Sequence, residues 1–406
     1  MKKAKTPRPQ PKLERRALLA GGASLGLGAL GCQSGAAPSA AAGAGPSPAA
    51  GTLAAAGDGQ APLARPLAER VVLEQLRVGP PPWVTFDPFL FCVHHRDDYP
   101  AGNPQLGPVA ALEGRNIGED FANKDGWNMY HGDVVPGFPR HPHRGFETVT
   151  ITRRGFVDHS DSLGATARYG EGDVQWMTAG SGIVHAEMFP LLDEQAKNPA
   201  ELFQIWLNLP ARSKFARPYF SMFWNSQVPR LVRTDERGQS TRLTIVAGAH
   251  DGARPPAPPP DSWAAQADAD VAIWSLVLDP GARFELPRTP PGVDRTLYVF
   301  EGEGIGVGEA SVRPVTAVRL ARGLPVPLEN GARTSELLLL QGRPIGEPVV
   351  KYGPFVMNQR AEIEQAIRDY RATEFGGWPW PGSGPVHARD SGRFAVHADG
   401  RKERAT

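Results

Sequence analysis

From about Leu67 to Leu209, short runs of β-branched and aromatic residues alternate with clusters of turn formers. Phe146–Thr152 (FETVTIT) reads as a strand that ends at Arg153-Arg154-Gly155, and turns follow at 161–164 and 170–173. Strands recurring about every 8 to 12 residues between such turns indicate a sandwich or barrel. A second run of the same kind spans about Leu243 to Leu340, including 271–277, 295–300 and the apolar 337–340. Within it, the proline-rich stretch 254–260 predicts an exposed loop. The pattern turns helical once, at Ala361–Arg371, where Ile363, Ala366, Ile367 and Tyr370 share a face. These runs predict an all-β chain with domains at 67–235 and 236–380, the helix closing the second. The polar, Gly-rich stretch 381–406 is expected to be disordered.

With 406 residues, the chain has room for two ordinary domains and terminal extensions. Charge is balanced, 44 Lys and Arg against 43 Asp and Glu, so no electrostatic footprint for nucleic acid exists. The 46 Gly and 41 Pro favour turns and short strands over long helices. Cysteines are two, Cys32 and Cys92, too few for a disulfide framework or a thiolate zinc site. Cys92 lies in an apolar strand and reads as a buried small hydrophobe.

The amino terminus reads as an address. Five Lys or Arg residues precede Arg15-Arg16, and the moderately apolar Ala17–Leu30 follows, too short to span a bilayer comfortably. The arginine pair resembles a twin-arginine export signal, and Ala29-Leu30-Gly31-Cys32 resembles a bacterial lipobox with Cys32 as the lipidated residue. A cleaved signal without lipid is the alternative. Residues 33–66, almost all Ala, Gly, Ser and Pro, read as a flexible tether with a reach on the order of 30 Å. The expectation is an exported protein, periplasmic or held at a bacterial membrane through a lipid anchor alone.

Chemistry concentrates at two short patterns. In His141-Pro142-His143 the imidazoles lie two residues apart, so on a strand they project to one face. His185-Ala186-Glu187 repeats the arrangement 42 residues after His143, enough chain for about three short strands. Facing strands carrying these pairs assemble three histidines and one carboxylate. Such donors with open positions suit Fe(II), and Mn, Ni, Cu or Zn are other ions the set can hold. Closed structural zinc fits less well, because it generally takes thiolates. Glu147 shares strand parity with His143 and is a candidate spare ligand or a support behind the ligands. Adjacent His94 and His95 would point to opposite faces and read as structural or surface residues. His131 and His159 sit beside turn residues, exposed or behind the ligands, while His250, His387 and His397 fall in a loop or the tail. Trp176, Met177 and Phe146, next to the ligand pairs, read as barrel core rather than pocket lining. No histidine occurs from Asp251 to Pro385, so the second domain lacks this ligand set.

The segments that carry these residues resemble the pirin family of bicupins. GFPRHPHRGFE (137–147) is similar to the first cupin motif, and GDVQWMTAGSGIVHAE (172–187) to the second in its pirin form. Residues 342–349, 352–358 and 363–370 are also pirin-like, and FDPFL (86–90) resembles the family's opening strand. The resemblance implies two cupin barrels, double-stranded β-helices of jelly-roll type, with a short C-terminal helix. It implies His141, His143, His185 and Glu187 as metal ligands in the first barrel. The glutamate used by other cupins corresponds to Glu147. The implied activity is Fe(II)-dependent dioxygenation of a flavonol-like aromatic, of the quercetin 2,3-dioxygenase type, with Glu187 as candidate base toward a substrate hydroxyl. The rival reading is a metal-dependent binding or redox-sensing protein of the cell envelope, without turnover. The expected partners are a small aromatic substrate and no nucleic acid, on a monomeric chain.

Overall fold

The computed structural model describes residues 70–405, and the expected signal (1–32) and tether (33–66) lie outside them. Two sheets enclose the first barrel. One runs in the order Tyr219–Phe223, Val174–Thr178, Phe146–Arg154, Asn198–Asn208, Phe89–Tyr99. The other runs Lys402–Arg404, Phe394–Val396, Thr166–Gly170, Phe156–Asp161, Ile183–Met188, Gly137–His143. The second barrel pairs a seven-stranded sheet with a four-stranded one. The larger contains Val72–Arg77, Thr316–Leu320, Asp294–Glu301, Ser335–Gly342, Ala272–Leu278, Ser240–Ala247 and Arg230–Thr234. These are the two cupin domains the resemblance implies.

The barrels meet sheet on sheet, so their central strands are buried on both faces and lose the clean apolar-polar alternation of a half-exposed strand. Val149, Trp176, Phe203 and Ile205 from the first barrel pack against Ile273, Tyr298, Leu338 and Leu340 from the second. Met177 and Leu202, one residue out of phase with Trp176 and Phe203, fill the first barrel instead. Trp274, Leu297, Leu337 and Leu339 fill the second. Cys92 lies in the interface, free and fully buried, and that burial pushes its thiol pKa up.

The helix Arg360–Thr373 buries Ile363 and Ala366 as its pattern predicts. They join Phe355, Met357 and Val184, so helix and neighbouring hairpin plug one end of the first barrel. Among the described residues no helix is long and apolar enough to cross a membrane.

Three expectations are corrected at the domain edges. Val72–Arg77 pairs with Thr316–Leu320, inside the second barrel rather than the first. Arg230–Thr234 pairs with Ser240–Ala247 and also belongs to the second. The tail is ordered to residue 405, because Phe394–Val396 adds to Thr166–Gly170 on the first barrel. Single polar anchors hold it. Buried Arg168 pairs with Asp158 and donates to the carbonyls of His387, Ala388 and Arg389. Arg393 donates to Asp173 at 2.7 Å. Backbone pairing and buried arginines need no apolar run, so composition alone misreads such a segment.

Candidate metal centre

The strand Gly137–His143 lies at a sheet edge, paired with Ile183–Met188 so that His141 stands opposite His185. Residues in direct register share a face, and His143 follows His141 by one strand period. The result is one cluster. Ring centroids are 4.4 Å apart for His141 and His185, 4.8 Å for His141 and His143, and 4.9 Å for His143 and His185. One nitrogen from each ring lies within 4.8 Å of the others, a grouping that can hold a metal ion.

Protonation suits that role. The Pro139 carbonyl accepts from His141 Nδ1 at 2.9 Å, which fixes that tautomer and leaves Nε2 with a bare lone pair. Burial pushes the His141 pKa down to about 4 and those of His143 and His185 well below the ordinary imidazole value. Neutral imidazole is the metal-binding form. His143 Nδ1 and both nitrogens of His185 are buried with no hydrogen-bond partner. Each such atom costs about 1–3 kcal/mol. A cation bound between the rings would offset part of that cost, so these residues fit the metal the family implies.

Glu187 stands beside the trio. Its Oε2 lies 3.8 Å from His185 Nε2. Gln204 Nε2 donates to Oε2 at 2.8 Å and Thr150 Oγ1 donates to Oε1 at 3.3 Å. Burial raises the Glu187 pKa, opposed by His159 and these two donors. Gln204 and Thr150 went unremarked in the sequence, yet a lone Gln in LFQIWL and the threonines of FETVTIT are polar residues on strands otherwise built for burial.

The turn after His143 is clamped from behind. Arg144 donates to Ser181 O at 2.7 Å and to Asp369 of the helix at 2.6 Å, and its guanidinium lies over Phe375. Buried Lys214 donates to the carbonyls of Gly145 and Val356 and to Asn208 Oδ1, and burial lowers its pKa to about 8. Gly145 has φ +85°, and a Cβ there would meet Val356 O at 2.0 Å, so only glycine makes this turn.

That turn also resets strand parity and corrects the reading of Glu147. Phe146 packs edge-on against His143 and tilted against Trp206, while Glu147 points out of the barrel into the domain interface. There it accepts from Thr178 Oγ1 and, across the domains, from Ser262 Oγ. It is no spare ligand. Burial pushes its pKa up to about 7, with both hydroxyls opposing.

The remaining histidines separate. His159 is fully buried, its ring 5.5 Å from that of His185, with Nε2 3.3 Å from Asp161. His94 and His95 do face opposite ways: His94 stacks on Phe203 and bonds Glu201, whereas His95 turns inward to Tyr130. His131 bonds Gly118 O, and His250 packs against Trp274 in the second barrel. In the ordered tail, His387 bonds Thr166 and His397 bonds Glu403.

Beside Glu187 is a slot of about 10 Å³, lined by His95, Phe138, Thr150, Phe189, Leu202 and Gln204, with room for roughly one water. Phe189 also lines a wider groove of about 430 Å³ with Arg154, Phe156 and Leu192. Phe189 is the residue that the slot and the groove have in common.

Two β-barrels packed sheet on sheet, with a three-histidine cluster in the first alone, define a metal-binding bicupin. The Pirin family model matches residues 115–207, and the model of the Pirin C-terminal cupin domain matches residues 273–376. A Pseudomonas aeruginosa protein provisionally named a quercetin 2,3-dioxygenase is 42% identical over 250 residues, 59% of this chain and 80% of the relative. Pirin of Homo sapiens is 32% identical over 277 residues, 66% of this chain and 89% of the relative. The crystal structure of quercetin 2,3-dioxygenase from Acinetobacter baumannii matches with a TM-score of 0.58 at 28% identity, over 76% of this chain and 96% of the other. The chain belongs to the pirin family.

Proposed function

We propose that this protein is a metal-dependent dioxygenase of flavonol-like or related phenolic compounds, with Fe(II) held by His141, His143, His185 and Glu187. The observation that carries the reading is the convergence of three neutral histidines, two of which, His143 and His185, hold buried nitrogens without a partner. The names of the Pseudomonas and Acinetobacter relatives support the reaction class. When bound, iron would supply open coordination positions for oxygen or a substrate oxygen. The protein's own part is positioning. Gln204 and Thr150 hold the Glu187 carboxylate beside the ligands, and burial keeps its proton affinity high. Such a carboxylate can take the proton of a substrate hydroxyl as the hydroxyl is drawn in. Phe138, Phe189 and Leu202 exclude water around it. A flavonol ring needs Phe189 to swing aside, opening the slot to the groove.

The narrowness of the slot favours a second reading, a metal-loaded binding protein without turnover. Metal analysis of the chain from Pro66 onward, with anaerobic quercetin binding and oxygen uptake, separates the two. Bound iron, with oxygen consumed as the flavonol disappears, supports the oxygenase. Iron without binding or uptake leaves the binding protein, and no metal removes both. The export signal, with Cys32 as its lipid site, accords with a protein that works outside the cytoplasm.

A further inference from the structure

Half-buried His95 lines the slot from outside the ligand set, and three buried polar residues, Tyr130, Asp97 and Asn128, stand behind it. Asp97 is buried and collects three donors: the Asn128 backbone N–H (2.8 Å) and Nδ2 (3.0 Å) on Oδ1, and the Tyr130 hydroxyl (2.7 Å) on Oδ2. Burial pushes the Asp97 pKa up to about 6, opposed by these three donors, so at neutral pH the carboxylate is ionised and accepts only. The single proton of Tyr130 is therefore committed to Asp97. His95 Nδ1 lies 2.9 Å from the same Tyr130 oxygen, and with the hydroxyl proton already placed, the imidazole must be the donor. This assigns the tautomer: Nδ1 carries hydrogen and Nε2 is a bare acceptor. Burial, with help from His94, pushes the His95 pKa down to about 3, so the ring stays neutral. Nε2 has no partner among the described residues, and His95 lines the slot together with Glu187 and Gln204.

We propose that His95 selects substrates carrying a neutral hydroxyl group, accepting a hydrogen bond from it at Nε2 inside the slot shared with Glu187. The inference rests on the phenolic-substrate reading and adds the residue that recognises the group. The slot has room for roughly one oxygen atom, so a hydroxyl fits where a ring does not. Its chemistry is selective. The bare Nε2 lone pair attracts a donor hydrogen and offers nothing to a carboxylate or other anion, which would face it lone pair to lone pair. Asp97 and Tyr130 act through His95: they hold its hydrogen on the far nitrogen, the arrangement by which a partner on one ring atom sets the role of the other.

The test measures anaerobic binding of quercetin and of flavone, the same ring system without hydroxyls, to the metal-loaded protein, its His95→Leu and Tyr130→Phe variants, and ¹⁵N NMR of the ring nitrogens. Wild type should show a protonated Nδ1 and a bare Nε2. His95→Leu should keep its metal and weaken quercetin by about 10- to 100-fold, as loss of a buried hydrogen bond does, with flavone unchanged. Tyr130→Phe should move the hydrogen to Nε2 in part of the molecules and weaken quercetin less. Equal losses for both probes, or loss of the metal with His95, would make the residue structural and overturn the proposal. Wild type that binds neither probe overturns the substrate reading itself, and this inference with it; a bare Nε2 in that protein would locate the failure in the substrate class rather than in the tautomer.

Discussion

The two barrels share one architecture and differ in what their inward positions carry. In the second, strands Asp294–Glu301 and Ser335–Gly342 point Leu297, Val299, Leu337 and Leu339 into a closed apolar core. In the first, the inward face of Phe146–Arg154 and its neighbour offers Thr150 and Gln204, and the facing sheet offers His185 and Glu187. An apolar interior is stable on its own, at roughly 25 cal/mol per Å² buried. A polar interior persists only where partners satisfy it, and here several nitrogens wait without one. The comparison teaches that in this molecule the fold supplies walls twice and chemistry once, through about six side chains.

The sharpest way to break the comparison is to remove a ligand from one barrel and a core residue from the other. His185→Ala should abolish metal binding, read by metal analysis of purified protein, with the fold intact by circular dichroism. Leu339→Ala should do the reverse: metal retained, with stability in denaturant titration lowered by about 2–5 kcal/mol. The next effect tests whether buried polar anchors hold the first barrel as firmly as apolar packing holds the second. Arg168→Met leaves buried Asp158 without its counter-charge, with only the His387 N–H still donating to it, frees three tail carbonyls, and should cost about 3–5 kcal/mol. The tail should then become sensitive to protease while the second barrel resists.

The smallest effect sits between the barrels. Glu147 has a folded-state pKa near 7, above its unfolded value. Its contribution to stability is therefore fully present below about pH 4.5 and lost as pH rises through 7. The change is on the order of 3 kcal/mol, and Glu147→Gln should flatten it in unfolding midpoints compared at pH 5 and pH 8. A variant with the same slope as wild type would place the titrating group elsewhere.

Much of this was legible in the chain. The histidine pairs reported themselves because a spacing of two is a strand's own period, and the register that puts His141 opposite His185 follows from pairing those strands. The apolar filling of the second barrel accords with the run from Asp251 to Pro385 that holds no histidine. Glu147 was misplaced because parity counting assumes an unbroken strand, and Gly145 breaks it. His95 was unreadable as a slot residue, because its meaning depends on Tyr130 and Glu187, brought near by folding rather than by spacing. The tail was misread because four arginine and backbone contacts outweigh a composition that buries nothing by itself.

The exchange of end segments between the barrels has a consequence in time. Synthesis proceeds from the amino terminus, so Val72–Arg77 emerges long before its neighbour Thr316–Leu320. Thr166–Gly170 in turn must wait for Phe394–Val396, more than two hundred residues later. The second barrel has all its strands once Ser335–Gly342 is made, whereas the first still lacks Phe394–Val396. The barrel with the histidine cluster, made largely before the other, is thus the later to close, and without Phe394–Val396 its strand Thr166–Gly170 is left as an open edge.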